Sequence, residues 1–191
     1  MKKRFLVSFF LLFLQLLFSE GDDWPKWRGS KGNGTWAGPP IMKELPAGGL
    51  KKNWQLKVSP GYSGVTVADG LAYLMDKPKL KREGEVERVL CINIEHGEVL
   101  WEYSYEVNYA KLDYGKGPRA SVTVHEEKAY GLGAMGHAFC LDAKSGKLIW
   151  MRSLVKEEKC PSPIWGYSSA PEPLGDVMLY HVGGKDGNVL A

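Results

Sequence analysis

The sequence predicts an all-β fold, a β-propeller of four-stranded antiparallel blades, on three observations. Gly (23) and Trp (7) are frequent for 191 residues, and no Leu-rich helical period runs through most of the chain. Short segments of four to six residues, rich in β-branched and aromatic side chains, alternate with turn residues. Most informative, these segments recur in blocks of about 50 residues, the spacing of four-stranded propeller blades.

The first segment, 1–21, reads as a secretory leader. Lys2, Lys3 and Arg4 precede an apolar run from Phe5 to Phe18, and Ser19, Glu20 and Gly21 follow as a cleavage region. The run is shorter than the roughly 20 residues of a spanning helix. Export to the periplasm or the extracellular space is therefore expected, with no transmembrane span after cleavage. Without the leader, 25 basic and 22 acidic residues become 22 and 21, so the net charge falls from +3 to +1. That balance leaves no basic surface to steer the chain toward nucleic acid.

Residues 22–52 show no strand pattern and form an irregular N-terminal segment. Residues 53–191 then read as a partial propeller. Asn53-Trp54-Gln-Leu-Lys-Val58 resembles the last strand of a repeat, placed ahead of the first full copy, as an outer closing strand over 53–58. The first blade is expected over 61–104 and the second over 119–152. An incomplete third occupies 167–191. Gly64-Val-Thr-Val-Ala-Asp-Gly-Leu-Ala-Tyr73 aligns with Ser121-Val-Thr-Val-His-Glu-Glu-Lys-Ala-Tyr130. Cys91-Ile-Asn-Ile-Glu-His-Gly-Glu-Val-Leu-Trp101 aligns with Cys140-Leu-Asp-Ala-Lys-Ser-Gly-Lys-Leu-Ile-Trp150. In the second copy the strands are expected near Ala120–Val124, Ala129–Leu132, His137–Asp142 and Lys147–Arg152. Since propellers close with four to eight blades, the chain is expected to be the N-terminal part of a longer one.

The Gly-x-x-x-Trp ending of each repeat has a mechanical sense. Gly97 and Gly146 suit a turn with positive φ. Trp54, Trp101 and Trp150 are expected to dock on the neighbouring blade, each indole N–H finding a carbonyl. Cys91, Cys140 and Cys160 are an odd number, which describes no disulfide framework, and Cys91 and Cys140 lie in apolar contexts that suit buried thiols.

Asp23-Trp-Pro-Lys-Trp-Arg-Gly29, Gly61-Tyr-Ser63, Leu141-Asp-Ala-Lys-Ser-Gly-Lys-Leu-Ile-Trp150 and Gly183-Gly-Lys-Asp-Gly187 resemble the pyrroloquinoline-quinone-like (PQQ-like) β-propeller repeat family, in its secreted bacterial branch. The resemblance runs from about Asp22 to the last residue. The repeat ending is specific for the fold and weak for activity. The family includes quinoprotein alcohol dehydrogenases, a propeller subunit of outer-membrane assembly machinery, and chains without known activity. A dehydrogenase would imply PQQ with Ca²⁺, a carboxylate base and a vicinal Cys-Cys pair. This chain lacks the pair, and none of its acidic residues can be matched to the base or the calcium ligands.

Other motifs carry less. Gly131-Leu-Gly-Ala-Met-Gly136 fits a dinucleotide-binding pattern, but a strand follows it where a helix is needed. His96, His125, His137 and His181 lack metal-ligand spacing, so no metal site is expected. Asn33-Gly-Thr35 is a glycosylation sequon of no use in a bacterial context. Blade topology places Tyr62, Arg119 and Tyr167 at equivalent positions before the inner strands. It also places Met135, His137, Lys185 and Asp186 in second-to-third-strand turns on the same face. The functional reading makes Tyr62, Arg119, Tyr167, His137, Lys185 and Asp186 a channel rim for a protein or a small anionic or planar ligand. The structural alternative has them tying the inner strands together, with Asp113 and Tyr114 beside Arg119. The expected function is an exported binding or scaffold module acting through one propeller face, with a PQQ-dependent alcohol dehydrogenase as the alternative.

Overall fold

The computed structural model describes residues 23–36, 38–109, 112–183 and 189–191. The expected leader, Lys185 and Asp186 lie outside the described residues. Eleven strands and no helix occur among those described. The first blade is β1 (Thr66–Ala68), β2 (Leu71–Asp76), β3 (Glu85–Asn93) and β4 (Val99–Val107). The second is β5 (Thr123–His125), β6 (Lys128–Leu132), β7 (His137–Asp142) and β8 (Leu148–Ser153). β9 (Glu172–Leu174), β10 (Val177–His181) and β11 (Val189–Leu190) form a three-stranded third sheet. All pairings are antiparallel and sequential within a sheet. This is the blade arrangement of a β-propeller.

The repeat in sequence is a repeat in register. Thr66 faces Tyr73, and Thr123 faces Tyr130. Cys91 faces Trp101, and Cys140 faces Trp150, with a bulge immediately after each cysteine. Turn chemistry explains the bulges' neighbours. Asn93 Oδ1 accepts the N–H groups of Glu95 and His96, as Asp142 Oδ1 accepts the N–H and the hydroxyl of Ser145, and Gly97 and Gly146 follow with φ 69° and 70°. The first turn differs between blades. Asp69-Gly70 adopts positive φ at low cost, whereas Glu126-Glu127 takes the same conformation without a glycine (φ 47° and 60°).

The core lies between blades. Tyr73, Met75, Val89, Cys91 and Tyr105 from the first blade pack on Val122, Ala129, Phe139 and Leu141 from the second. Inner strands are stitched by side-chain hydroxyls. Thr66 Oγ1 donates to Val122 O at 2.5 Å, and Thr123 Oγ1 to Pro171 O at 2.6 Å.

Residues 53–58 depart from the expected strand, since they join no ladder among the described residues. Their side chains still dock as expected. Trp54 Nε1 donates to Ile94 O at 2.7 Å over Gly97, and Leu56 packs on Ala72, Leu90 and Ile92. Trp101 repeats the contact one blade on, its Nε1 donating to Ala143 O at 3.0 Å over Gly146. Trp150 instead lies against Tyr130 and Tyr180, with ring centroids 6.3 Å away in both cases.

Candidate functional site

Strand direction sorts the loops onto two faces. The lower face carries the short turns at 69–70, 94–98, 126–127 and 143–147. The upper face carries 77–84, 112–122, 133–136 and 154–171, and the sequence places its candidate residues here. The Gly131–Gly136 segment is the β6–β7 hairpin, with Gly136 N–H donating to Gly133 O at 3.0 Å and no helix following.

Tyr62 and Arg119 come together. Tyr62 N–H donates to Pro118 O at 2.8 Å, and the Arg119 guanidinium lies 5.3 Å over the Tyr62 ring. Arg119 donates to the carbonyls of Gly115 and Gly117, so backbone oxygens rather than Asp113 take its N–H groups. A side chain at 115 would meet the Tyr62 hydroxyl, so glycine is needed there for the stack to form. Tyr114 adds a third planar group, its ring centroid 5.6 Å from that of Tyr62.

Tyr167 does not join this group at the surface. It is buried, donates its hydroxyl to Pro161 O at 2.7 Å, and presses its ring on Gly136. Its partners tie the second blade to the third. His137 lies in a separate cleft of about 410 Å³, with Val107, Met135, Ser153, Val155 and Lys156. Its ring is 5.2 Å from Tyr105, and its buried Nδ1 has no partner among the described residues. Burial, reinforced by the Lys156 charge, pushes the imidazole below its ordinary value and favours the neutral ring.

The sequence-based candidates omit Glu87, a buried acid on this side that accepts three hydrogen bonds. It is fully buried on β3 and accepts from the Tyr105 and Tyr109 hydroxyls, the latter at 2.7 Å, and from Ala134 N–H at 3.1 Å. Desolvation raises its carboxyl above the ordinary range, against the lowering effect of those bonds and of Arg119. Gly133 is required beside it, because a β-carbon there would lie 2.3 Å from Glu87 Oε2. The signal was present in the period of two, since Glu87 shares a strand face with Val89 and Cys91. The network locks the first blade to the β6–β7 turn of the second.

Charged side chains such as Lys79, Lys81, Lys116 and Lys156 are exposed on the upper face, and large apolar and aromatic ones stand exposed beside them. Tyr62, Tyr114, Ile164 and Trp165 are 51%, 61%, 64% and 65% exposed. Asp113 N–H donates to Ile164 O at 3.0 Å, which joins the loop of Tyr114 to the loop of Trp165. A groove of about 700 Å³ runs between the second and third sheets, lined by Tyr130, Trp150, Met178, Tyr180 and Leu190, and the buried Tyr180 hydroxyl has no partner among the described residues.

The described residues do not fit PQQ with Ca²⁺. No three His, Cys, Asp or Glu side chains among them gather into a metal-binding group. Cys91, Cys140 and Cys160 are separate buried thiols, and the Arg119 guanidinium is engaged by carbonyls.

No family model and no curated protein matches the sequence. Solved structures do. A quinohemoprotein alcohol dehydrogenase from Comamonas testosteroni aligns with TM-score 0.58 and 18% identity, over 87% of this chain and 24% of the other. BamB from Moraxella catarrhalis aligns with TM-score 0.43 and 19% identity, over 69% of this chain and 33% of that one. The quinohemoprotein alcohol dehydrogenase ADHIIG from Pseudomonas putida HK5 gives 0.44 and 19%, over 69% and 18%. The chain spans about a quarter of the length of the first of these. At that identity the likeness speaks for architecture alone. The chain folds as blades of an incomplete β-propeller, built like the corresponding part of the Comamonas quinohemoprotein alcohol dehydrogenase.

Proposed function

We propose that this chain belongs to an exported PQQ-like propeller that acts as a binding or scaffold module, engaging a protein partner through its upper face. One observation carries the reading: Tyr62, Tyr114, Ile164 and Trp165 are exposed on two loops joined by a backbone hydrogen bond. Tyrosine and tryptophan dominate interface hot spots because they bury large rigid area at little entropic cost. The polar groups nearby support the same reading. Arg119 and Glu87 are engaged by internal hydrogen bonds and serve to hold the loops in place.

A photo-crosslinking amino acid at position 165 of the exported full-length protein tests this, with position 100 on the outer strand β4 as control. A discrete adduct is expected from 165, lost on Tyr114→Ala, and none from 100. Equal labelling at both positions overturns the reading. So does alcohol-dependent dye reduction on adding PQQ and Ca²⁺, if it survives loss of the adduct.

A further inference from the structure

Three consecutive residues of the N-terminal segment each touch the innermost strand of a different blade. Trp24 N–H donates to Val67 O at 2.8 Å, and Val67 N–H donates back to Trp24 O at 3.0 Å. Val124 N–H donates to Pro25 O at 2.8 Å. The Lys26 ammonium pairs with the Glu172 carboxylate. Val67 and Val124 hold equivalent places in the middle of β1 and β5, and Glu172 is the first residue of β9, one place earlier in the strand.

Among the described residues each of these strands has a single neighbouring strand in its sheet, which leaves its other edge open. In a propeller that open edge faces the central axis. Unpaired strand edges present free N–H and C=O groups and need cover. The segment supplies it with matched chemistry. Trp24 offers both a donor and an acceptor. Pro25 has no N–H and presents only the carbonyl that Val124 requires. Lys26 reaches the third strand with a side chain only 15% exposed.

The segment is itself folded. Gly29, at φ 80°, turns the chain back beneath the Trp24 ring, where a β-carbon would lie 2.9 Å from it. The Trp36 ring follows, with its centroid 6.4 Å from that of Trp24. Asp23 Oδ2 accepts from Asp69 N–H at 3.2 Å, which fixes the segment at the lower end, beside the β1–β2 turn. Tyr62 and Arg119 stand at the opposite end of the inner strands.

We infer that residues 23–36 plug the axial channel at its lower end, so that the channel is a blind funnel opening only on the upper face. The inference stands on the inner-strand contacts and does not depend on what the upper face binds.

Amide hydrogen exchange on the full-length protein tests it. The Val67 and Val124 N–H groups, bonded through the strap, should be protected in the parent. Lys26→Glu should accelerate their exchange at least tenfold and leave amides of the β2–β3 ladder unchanged. The charge swap Lys26→Glu with Glu172→Lys should restore protection. Parent amides at 67 and 124 that exchange as fast as those of exposed turns overturn the plug, as does indifference to Lys26→Glu. If Lys26→Glu unfolds the chain, exchange rises in every strand, and brief trypsinolysis of the unsubstituted protein decides. Cleavage after Lys51 and Lys52 before Lys26 supports a docked strap, and the reverse order overturns it.

Discussion

Trp101 of the first blade lies flat on Gly146 of the second, so closely that a β-carbon at 146 would sit 2.5 Å from the indole ring. Trp54 stands in the same relation to Gly97. Both glycines also hold positive φ. Gly146→Ala combines a left-handed backbone penalty with an overpacked contact, and a loss of about 2–4 kcal/mol is expected. Urea unfolding of the parent and variant measures it. Gly97→Ala should behave alike, because it meets the Trp54 indole at the same distance in the equivalent turn.

Glu87 makes stability depend on pH. Burial raises its carboxyl on folding, so its contribution is fully present below the unfolded value near 4.5 and is lost as pH rises through the higher folded value. The Glu87→Gln protein should lack this loss. Urea midpoints from pH 4 to pH 8 should fall for the parent relative to the variant, the gap opening upward from the ordinary carboxylate range.

Asp76 is 1% exposed and is held by Arg88 through two bonds, Nη2 to Oδ2 at 2.8 Å and Nε to Oδ1 at 2.9 Å. It also accepts from Ser59 N–H at 2.8 Å. Asp76→Ala leaves the Arg88 guanidinium and the Ser59 amide short of a partner, at a cost of about 3–5 kcal/mol. Replacing both residues, Asp76→Leu with Arg88→Leu, should recover part of that cost. A denaturant titration of the parent, the Asp76→Ala protein and the double variant checks it.

Trp165→Ala should leave the unfolding midpoint within about 0.5 kcal/mol of the parent, since the ring covers little of the fold. The same substitution should weaken partner binding more than any other on the upper face. Unchanged binding with a displaced midpoint would assign Trp165 to structure instead.

The thiols should be silent in the folded protein. Burial pushes Cys91 up to about 11 and raises Cys140 and Cys160 as well. At pH 8 an aromatic disulfide reagent should react slowly with the native chain and with three thiols after denaturation.

The blades were legible because their signals are local. Alternation marks strand faces, Asn93 and Asp142 mark turns, and the Gly-x-x-x-Trp spacing marks docking between neighbours. β7 falls on the expected His137–Asp142 segment, and Trp54 and Trp101 dock as the repeat implies. Of the candidate rim, Tyr62 and Arg119 are neighbours, whereas Tyr167 is buried and His137 lines another cleft. Tyr62 and Arg119 each stand four residues before an inner strand, a place that the register gives to Ser168 rather than Tyr167 in the third repeat. The loops that cover these places also differ from blade to blade.

The sequence by itself determined the all-β class, the blade period and the glycines that its tryptophans cover, because each depends on residues a few positions apart. Only the tertiary structure decided which polar groups are engaged. Glu87 meets Ala134 from 47 residues away, and Lys26 meets Glu172 from 146 away. No local period encodes such pairings, since they arise where separate blades and the N-terminal segment close on a common axis.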